Sequence, residues 1–257
     1  MSHVRFGSGP VKPDGFLHGE GGVSAWDELL RDTASVPDTF RPRPAGPVGR
    51  IIPAGSLLFD VPAPGQVSIA RGHTLDVLAS VPTFDLLATA PPYAMGGEGA
   101  EHAIGAVVAV GLREAALRLR KGGWAVVYSA SSWRSTYYMV EAVRGVLEPI
   151  RIATWTKPVA RTKVRTPGWS WASVNVLLFR KPGGDRTGTP SILLDHITAA
   201  PLMVGRRAQL PPSVARWSVE PFAEPGGLML DPFSGSGALP QAAADLGMAA
   251  IGIEANP

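Results

Sequence analysis

The sequence predicts an α/β fold built on a doubly wound, mostly parallel sheet, and three observations carry that prediction. From Gln66 onward, short apolar runs alternate with longer segments of helical periodicity. One such run, GLMLDPF, ends in a glycine-rich turn that leads straight into an alanine-rich helix. Another, FDLLATA, stops abruptly at Pro91 and Pro92.

Each element follows in order. Residues 1 to 65 are rich in Gly and Pro (GPVKPDG, RPRPAGPVG, VPAPG), and only VSAWDELLRDT spaces apolar residues helically, at Trp26, Leu29 and Leu30. An extended N-terminal arm with one short helix is expected there, followed by one domain over 66–257. VSIARG reads as a strand, LDVLASV as a short helix and FDLLATA as a buried strand. AIGAVVAVGLREAALRLRKGG sets Val107, Val110, Leu112, Ala115, Ala116 and Leu119 at helical spacing, with basic residues in its last turn and Gly122–Gly123 as a stop. WAVVYSA is a strand, TYYMVEAVRGVL a helix, and IRIATWTK and ASVNVLLFRK are two further strands. A polar, irregular linker fills about 182–212. The helix VARWSVEPFA, the strand GLMLDPF, the helix ALPQAAADLG and the strand AAIGIE complete the chain.

Composition narrows the class. The 257 residues are 45% hydrophobic and 18% charged, enough to bury a sizeable core. The absence of cysteine rules out disulfides, thiolate metal sites and thiol nucleophiles. The N-terminus lacks the apolar stretch of a signal peptide, and no run reaches membrane-helix length, so a soluble, cytoplasmic protein is expected.

Charge is unevenly spread. Between Lys157 and Arg216 ten basic residues face only Asp185 and Asp195, so this segment carries +8 in a chain whose net charge is +3. With Trp155, Trp169, Trp171 and Trp217 interspersed, it fits a nucleic-acid face, where cations neutralise phosphates and flat rings stack on bases. A solvated surface over core tryptophans fits it equally. The candidate phosphate contacts are Lys157, Arg161, Lys163, Arg165, Arg206 and Arg207.

Two motifs carry chemistry. In LMLDPFSGSGALPQAAADLGMAAIGIE, Gly235 and Gly237 let the backbone approach a ligand where the following helix presents free amides. Glu254 follows Gly235 by 19 residues, the distance at which doubly wound folds place an acid on a ribose diol. A nucleoside-containing cofactor is therefore expected. A dinucleotide is disfavoured, because the third fingerprint glycine would fall at Pro240 and Asp231 sets a carboxylate where pyrophosphate would lie. That acid suits a cationic amine. In TFDLLATAPPYAMGG, Pro91 and Pro92 fix φ and expose carbonyls, and Tyr93 adds a flat ring, features that suit a planar substrate bearing an amine.

Together and in this order, the motifs resemble the DNA amino-methyltransferases that act on adenine N6 or cytosine N4. The resemblance is to the circularly permuted group in which the catalytic motif precedes the cofactor motif. It runs through RGHTLDVLASVPTFDLLATAPPY, TWTKP, VNVLLFRKP, DPFSGSG and IGIEANP, about residues 66–257. It implies a Rossmann-like S-adenosylmethionine-dependent fold, with the cofactor held by Asp231, Pro232, Phe233, Ser234, Gly235, Ser236, Gly237 and Glu254. A base flipped from duplex DNA would meet Ala90, Pro91, Pro92 and Tyr93. The family usually has Asp, Asn or Ser where this chain has Ala90. A silent nucleic-acid-binding relative, and a methyltransferase of another nucleobase or RNA, are the alternatives. The resemblance also leaves room for a cognate restriction nuclease and a homodimer, and the basic 182–212 segment is where it would place DNA contacts. Glu98, Glu101 and His102 in a flexible stretch, and His73 near the adenine edge, are secondary candidates whose plainer reading is a solvated loop.

Overall fold

The computed structural model describes residues 61–92, 98–158, 172–185, 193–202 and 209–255, with the backbone alone over 98–106. The expected arm lies outside these residues as far as position 60. Among the described residues eight strands form one sheet: β1 (Val67–Arg71), β2 (Phe84–Thr89), β3 (Leu119–Ala130), β4 (Glu148–Thr156), β5 (Ser173–Arg180), β6 (His196–Thr198), β7 (Leu228–Asp231) and β8 (Ala249–Glu254). Their spatial order is β1-β8-β7-β2-β3-β5-β4-β6. Only β5 runs against its neighbours, so the carboxyl ends of the other seven lie along one edge.

Helices cover both faces, as a sheet buried on two sides requires. On the first, α1 (Thr74–Leu78), α2 (Glu98–Arg118) and α3 (Trp133–Ala142) bury Val77, Leu112, Ala116 and Met139 against Phe84, Leu87, Val127 and Phe179. On the second, α4 (Pro212–Val219) and α5 (Ala238–Asp245) bury Val214, Val219 and Leu239 against Leu86, Val126, Val176 and Met229. The β2–α2–β3 connection crosses the first face in one direction, and β7–α5–β8 crosses the second in the other. The sequence therefore switches direction between β2 and β7, the place where open α/β sheets bind ligands.

Below that point the strands are pinned. Asp85 of β2 pairs with Arg120 of β3 and accepts a 2.7 Å hydrogen bond from the Leu228 amide at the start of β7. Arg120 continues to Glu224.

Three local expectations change. Gly122–Gly123 lies inside β3 rather than capping α2, which already ends at Arg118. The pairing of β2 with β3 slips between Phe84 and Leu86, and a side chain on Gly122 would strike the Asp185 carbonyl carried past it. Glu98, Glu101 and His102 belong to helix α2 rather than to a flexible stretch. The segment read as an irregular linker contributes β6, which pairs in parallel with β4, and a bridge between Leu202 and Gln209. Among the described residues, no helix is long and apolar enough to cross a membrane.

Candidate active site

The β7–α5 turn is built as the motif predicts. Gly237 sits at φ 80° as the residue before α5, and Gly235 at φ 53°, both in the left-handed region that glycine adopts without steric cost. The turn lies close against β8: the Ser234 amide donates to the Ile253 carbonyl at 2.9 Å, and a side chain on Gly252 would come within 2.5 Å of Ser234 Oγ. The preceding corner is tied to α1, where the Thr74 hydroxyl donates to the Pro232 carbonyl at 2.8 Å. Phe233 packs its ring against the first core, with its tip at Gly111 of α2, and the residue also borders the cavity described next.

The cavity opens between the ends of β2 and β7. Ala90 forms one wall, Asp231 and residues Phe233 to Ser236 another, and Gln209 and Leu210 a third. Register explains the meeting: Leu87 pairs with Leu230, so Asp231 lies beside the last residues of β2. Pro91 is buried and Pro92 exposed; Tyr93 lies outside the described residues.

Asp231 is 1% exposed. Burial raises its carboxyl pKa to about 7, with the Glu254 charge adding to the rise. Two groups oppose this. The Thr89 hydroxyl pulls the value down, although no hydrogen bond of good geometry joins it to the acid, and the Phe233 amide donates to Asp231 Oδ1 at 3.1 Å. With Ser234 Oγ, likewise buried and unpartnered, the loop holds polar groups whose needs the described protein residues do not meet. A ligand carrying an ammonium group fits this donor set, because it restores the carboxylate that burial disfavours.

Glu254 stands at the tip of β8 as expected, but its carboxylate accepts the Gly235 amide at 2.7 Å and so braces the turn. Pro232 is buried and Ser236 exposed. His73 precedes α1 as its N-cap, and its Nδ1 is buried without a hydrogen bond. Thr74, Gln209 and Leu210 escape a reading of motifs. Thr74 had a signal, since it opens a helix beside the glycine turn's partner strand. Gln209 and Leu210 had none, because their place depends on the Leu202–Gln209 bridge.

The basic segment is described only in part. Lys157 follows β4 at the carboxyl edge, half-buried, with its ammonium 5.2 Å from the centre of the Trp155 ring; burial lowers its pKa. Trp155 is a core residue whose Nε1 donates to the Ala199 carbonyl at 2.9 Å, and Trp217 is half-buried with Nε1 on Leu194. For these two rings the core reading holds. Trp169, Trp171, Arg161, Lys163, Arg165, Arg206 and Arg207 lie outside the described residues.

Comparison with known proteins agrees with this architecture. Residues 162–257 match a family model for DNA methylases, a span that contains β5 to β8 and the glycine turn. The fold is that of the S-adenosylmethionine-dependent methyltransferases. The M1.HpyAVI–SAM complex superposes with a TM-score of 0.60 at 17% identity, covering 74% of this chain and 94% of that one. TTHA0409 of Thermus thermophilus, complexed with S-adenosyl-L-methionine, gives 0.57 at 24%, covering 74% and 89%. The cytosine-N4-specific PvuII DNA methyltransferase gives 0.57 at 18%, covering 76% and 85%. The search of curated proteins returned no match.

Proposed function

We propose that this protein is an S-adenosylmethionine-dependent methyltransferase acting on the exocyclic amine of adenine or cytosine in duplex DNA. The carrying observation is one cavity bounded by Ala90 at the end of β2 and by Asp231 and the glycine turn at the end of β7. The DNA methylase match over 162–257 and the solved methyltransferases with the same fold support it. So does the order of motifs, with β2, which leads to Pro91 and Pro92, before the glycine turn in sequence and beside β7 in the sheet.

The bound cofactor supplies an electrophilic methyl group on a sulfonium. Asp231 would hold its ammonium group, the turn from Pro232 to Gly237 would bring backbone against it, and Glu254 would bind its ribose. A base flipped out of the duplex enters from the β2 side, where the carbonyls of Ala90 and Pro91 accept hydrogen bonds from its amine and Tyr93 stacks on its ring. Those carbonyls would orient the amine nitrogen, and the proton it loses would pass to solvent water at the open carboxyl edge. Lys157 lies on the same edge, and it would neutralise phosphates together with Arg161, Lys163, Arg165, Arg206 and Arg207.

A second reading is favoured by one residue. Ala90 lines the cavity and brings no side-chain acceptor, so a relative that binds cofactor and DNA but transfers methyl slowly or not at all has a specific basis. Calorimetric titration with S-adenosylmethionine, followed by single-turnover transfer of labelled methyl to mixed-sequence DNA and to RNA, separates the readings. Binding with transfer to DNA supports the enzyme; binding without transfer supports the silent relative.

A further inference from the structure

We infer that Trp133 stacks on a base of the DNA substrate beside the target nucleotide; the inference rests on the DNA reading above. Trp133 opens α3 and is 92% exposed, the most exposed large apolar side chain among the described residues. The buried positions of α3 are Met139 and Ala142, so no core contact holds the ring outward.

Register gives its place. Thr89 of β2 pairs with Val127 of β3, so two more residues bring Pro91 level with Ser129, and Ser131 and Ser132 then lead directly into Trp133. Asp231 flanks the end of β2 on one side and the Ser129–Trp133 corner flanks it on the other. Trp133 thus follows the strand next to the one that ends at Ala90, on the same edge of the sheet.

The corner is held firmly. Ser132 caps α3 by accepting the Ser135 amide at 3.1 Å, Ser129 Oγ donates to Ser135 Oγ at 3.0 Å, and Asn175 Nδ2 donates to Thr136 Oγ1 at 3.3 Å. The backbone that carries the ring is thus fixed before binding, so little backbone entropy is lost there. Its surroundings select the occupant: Ser131, Ser132 and the exposed Arg134 are its neighbours in the chain, and Lys157 lies on the same sheet edge. Exposed aromatic rings, Trp133 with Tyr137 one turn along α3, among hydroxyls and cations match a base with its phosphates. An apolar protein surface would instead meet the groove around Leu193, Leu194 and Phe222, at the far part of the sheet.

The test uses full-length wild type, Trp133→Ala and Trp133→Phe, with a labelled mixed-sequence duplex, by fluorescence anisotropy over a range of salt. Trp133→Ala should weaken DNA affinity about five- to a hundredfold. Trp133→Phe should recover much of the loss. The slope of log affinity against log salt should not change, because stacking releases no counterions. Thermal melting and cofactor titration should match wild type, the substituted ring being exposed and remote from Asp231. Wild type that binds and methylates DNA while Trp133→Ala binds it equally well overturns the inference alone. A Trp133→Ala variant with a reduced salt slope also overturns it, since the lost contact would be electrostatic. Wild type that binds no nucleic acid overturns inference and function together.

Discussion

Asp231 concentrates the chemistry of the site in one carboxyl group. Its folded pKa, about 7, lies above its ordinary value of 3.8, so between these the folded protein binds a proton that the unfolded chain releases. Stability from this group is present below about pH 4 and is lost as pH rises toward 7, by at most about 1.4 kcal/mol per pH unit. Asp231→Asn should therefore melt higher than wild type by a margin that grows from pH 4 to 7 and then levels off, in calorimetric scans without cofactor. A cation at the site expels the proton, so cofactor affinity of wild type should rise up to about pH 7, and the asparagine variant should lose both the affinity and its pH dependence. Ala90 gives the complementary prediction. Ala90→Asn adds an acceptor without placing a second carboxylate near Asp231, and should speed single-turnover transfer, with a positioned acceptor worth as much as about 10²-fold. The acid, the glycines and the position of Glu254 were legible as spacings in the sequence. That Glu254 braces the Gly235 amide was not, because it depends on how β8 and the turn fold together.

At the scale of elements, periodicity located the helices and most strands, because burial of one stripe or of alternate residues is written into the apolar pattern. It failed where long-range geometry decides. Gly122–Gly123 looks like a helix stop but is needed where β3 passes Asp185; β6, three residues long, has no readable period; and the reversal of β5 leaves no mark in its own sequence. Two substitutions test the element-level account. Asp85 joins β2 to β3 and β7, so Asp85→Ala should cost about 1–3 kcal/mol in denaturant unfolding by leaving Arg120 and the Leu228 amide without it. Gly252→Ala should displace the glycine turn through its contact with Ser234, weakening cofactor binding in calorimetry more than it lowers the melting temperature.

For the whole molecule, the two crossover directions place a crevice between β2 and β7, and the carboxyl edge gathers the cavity, Trp133 and Lys157. The basic segment was legible in the sequence as a charge imbalance, whereas the place of its Gln209 and Leu210 at the cavity became visible only in the structure, through the Leu202–Gln209 bridge. Replacing Arg206 and Arg207 together should lower the salt slope of DNA binding by about 2 if both neutralise phosphates. The function proposed for this crevice is methyl transfer to a DNA base. Its most direct test is a single-turnover reaction of excess protein with mixed-sequence duplex DNA and methyl-labelled S-adenosylmethionine, followed by digestion and mass spectrometry of the nucleosides. Labelled N6-methyladenine or N4-methylcytosine from wild type, strongly reduced with Asp231→Ala, is the predicted result; nucleosides free of label, with cofactor bound to the protein, would contradict it.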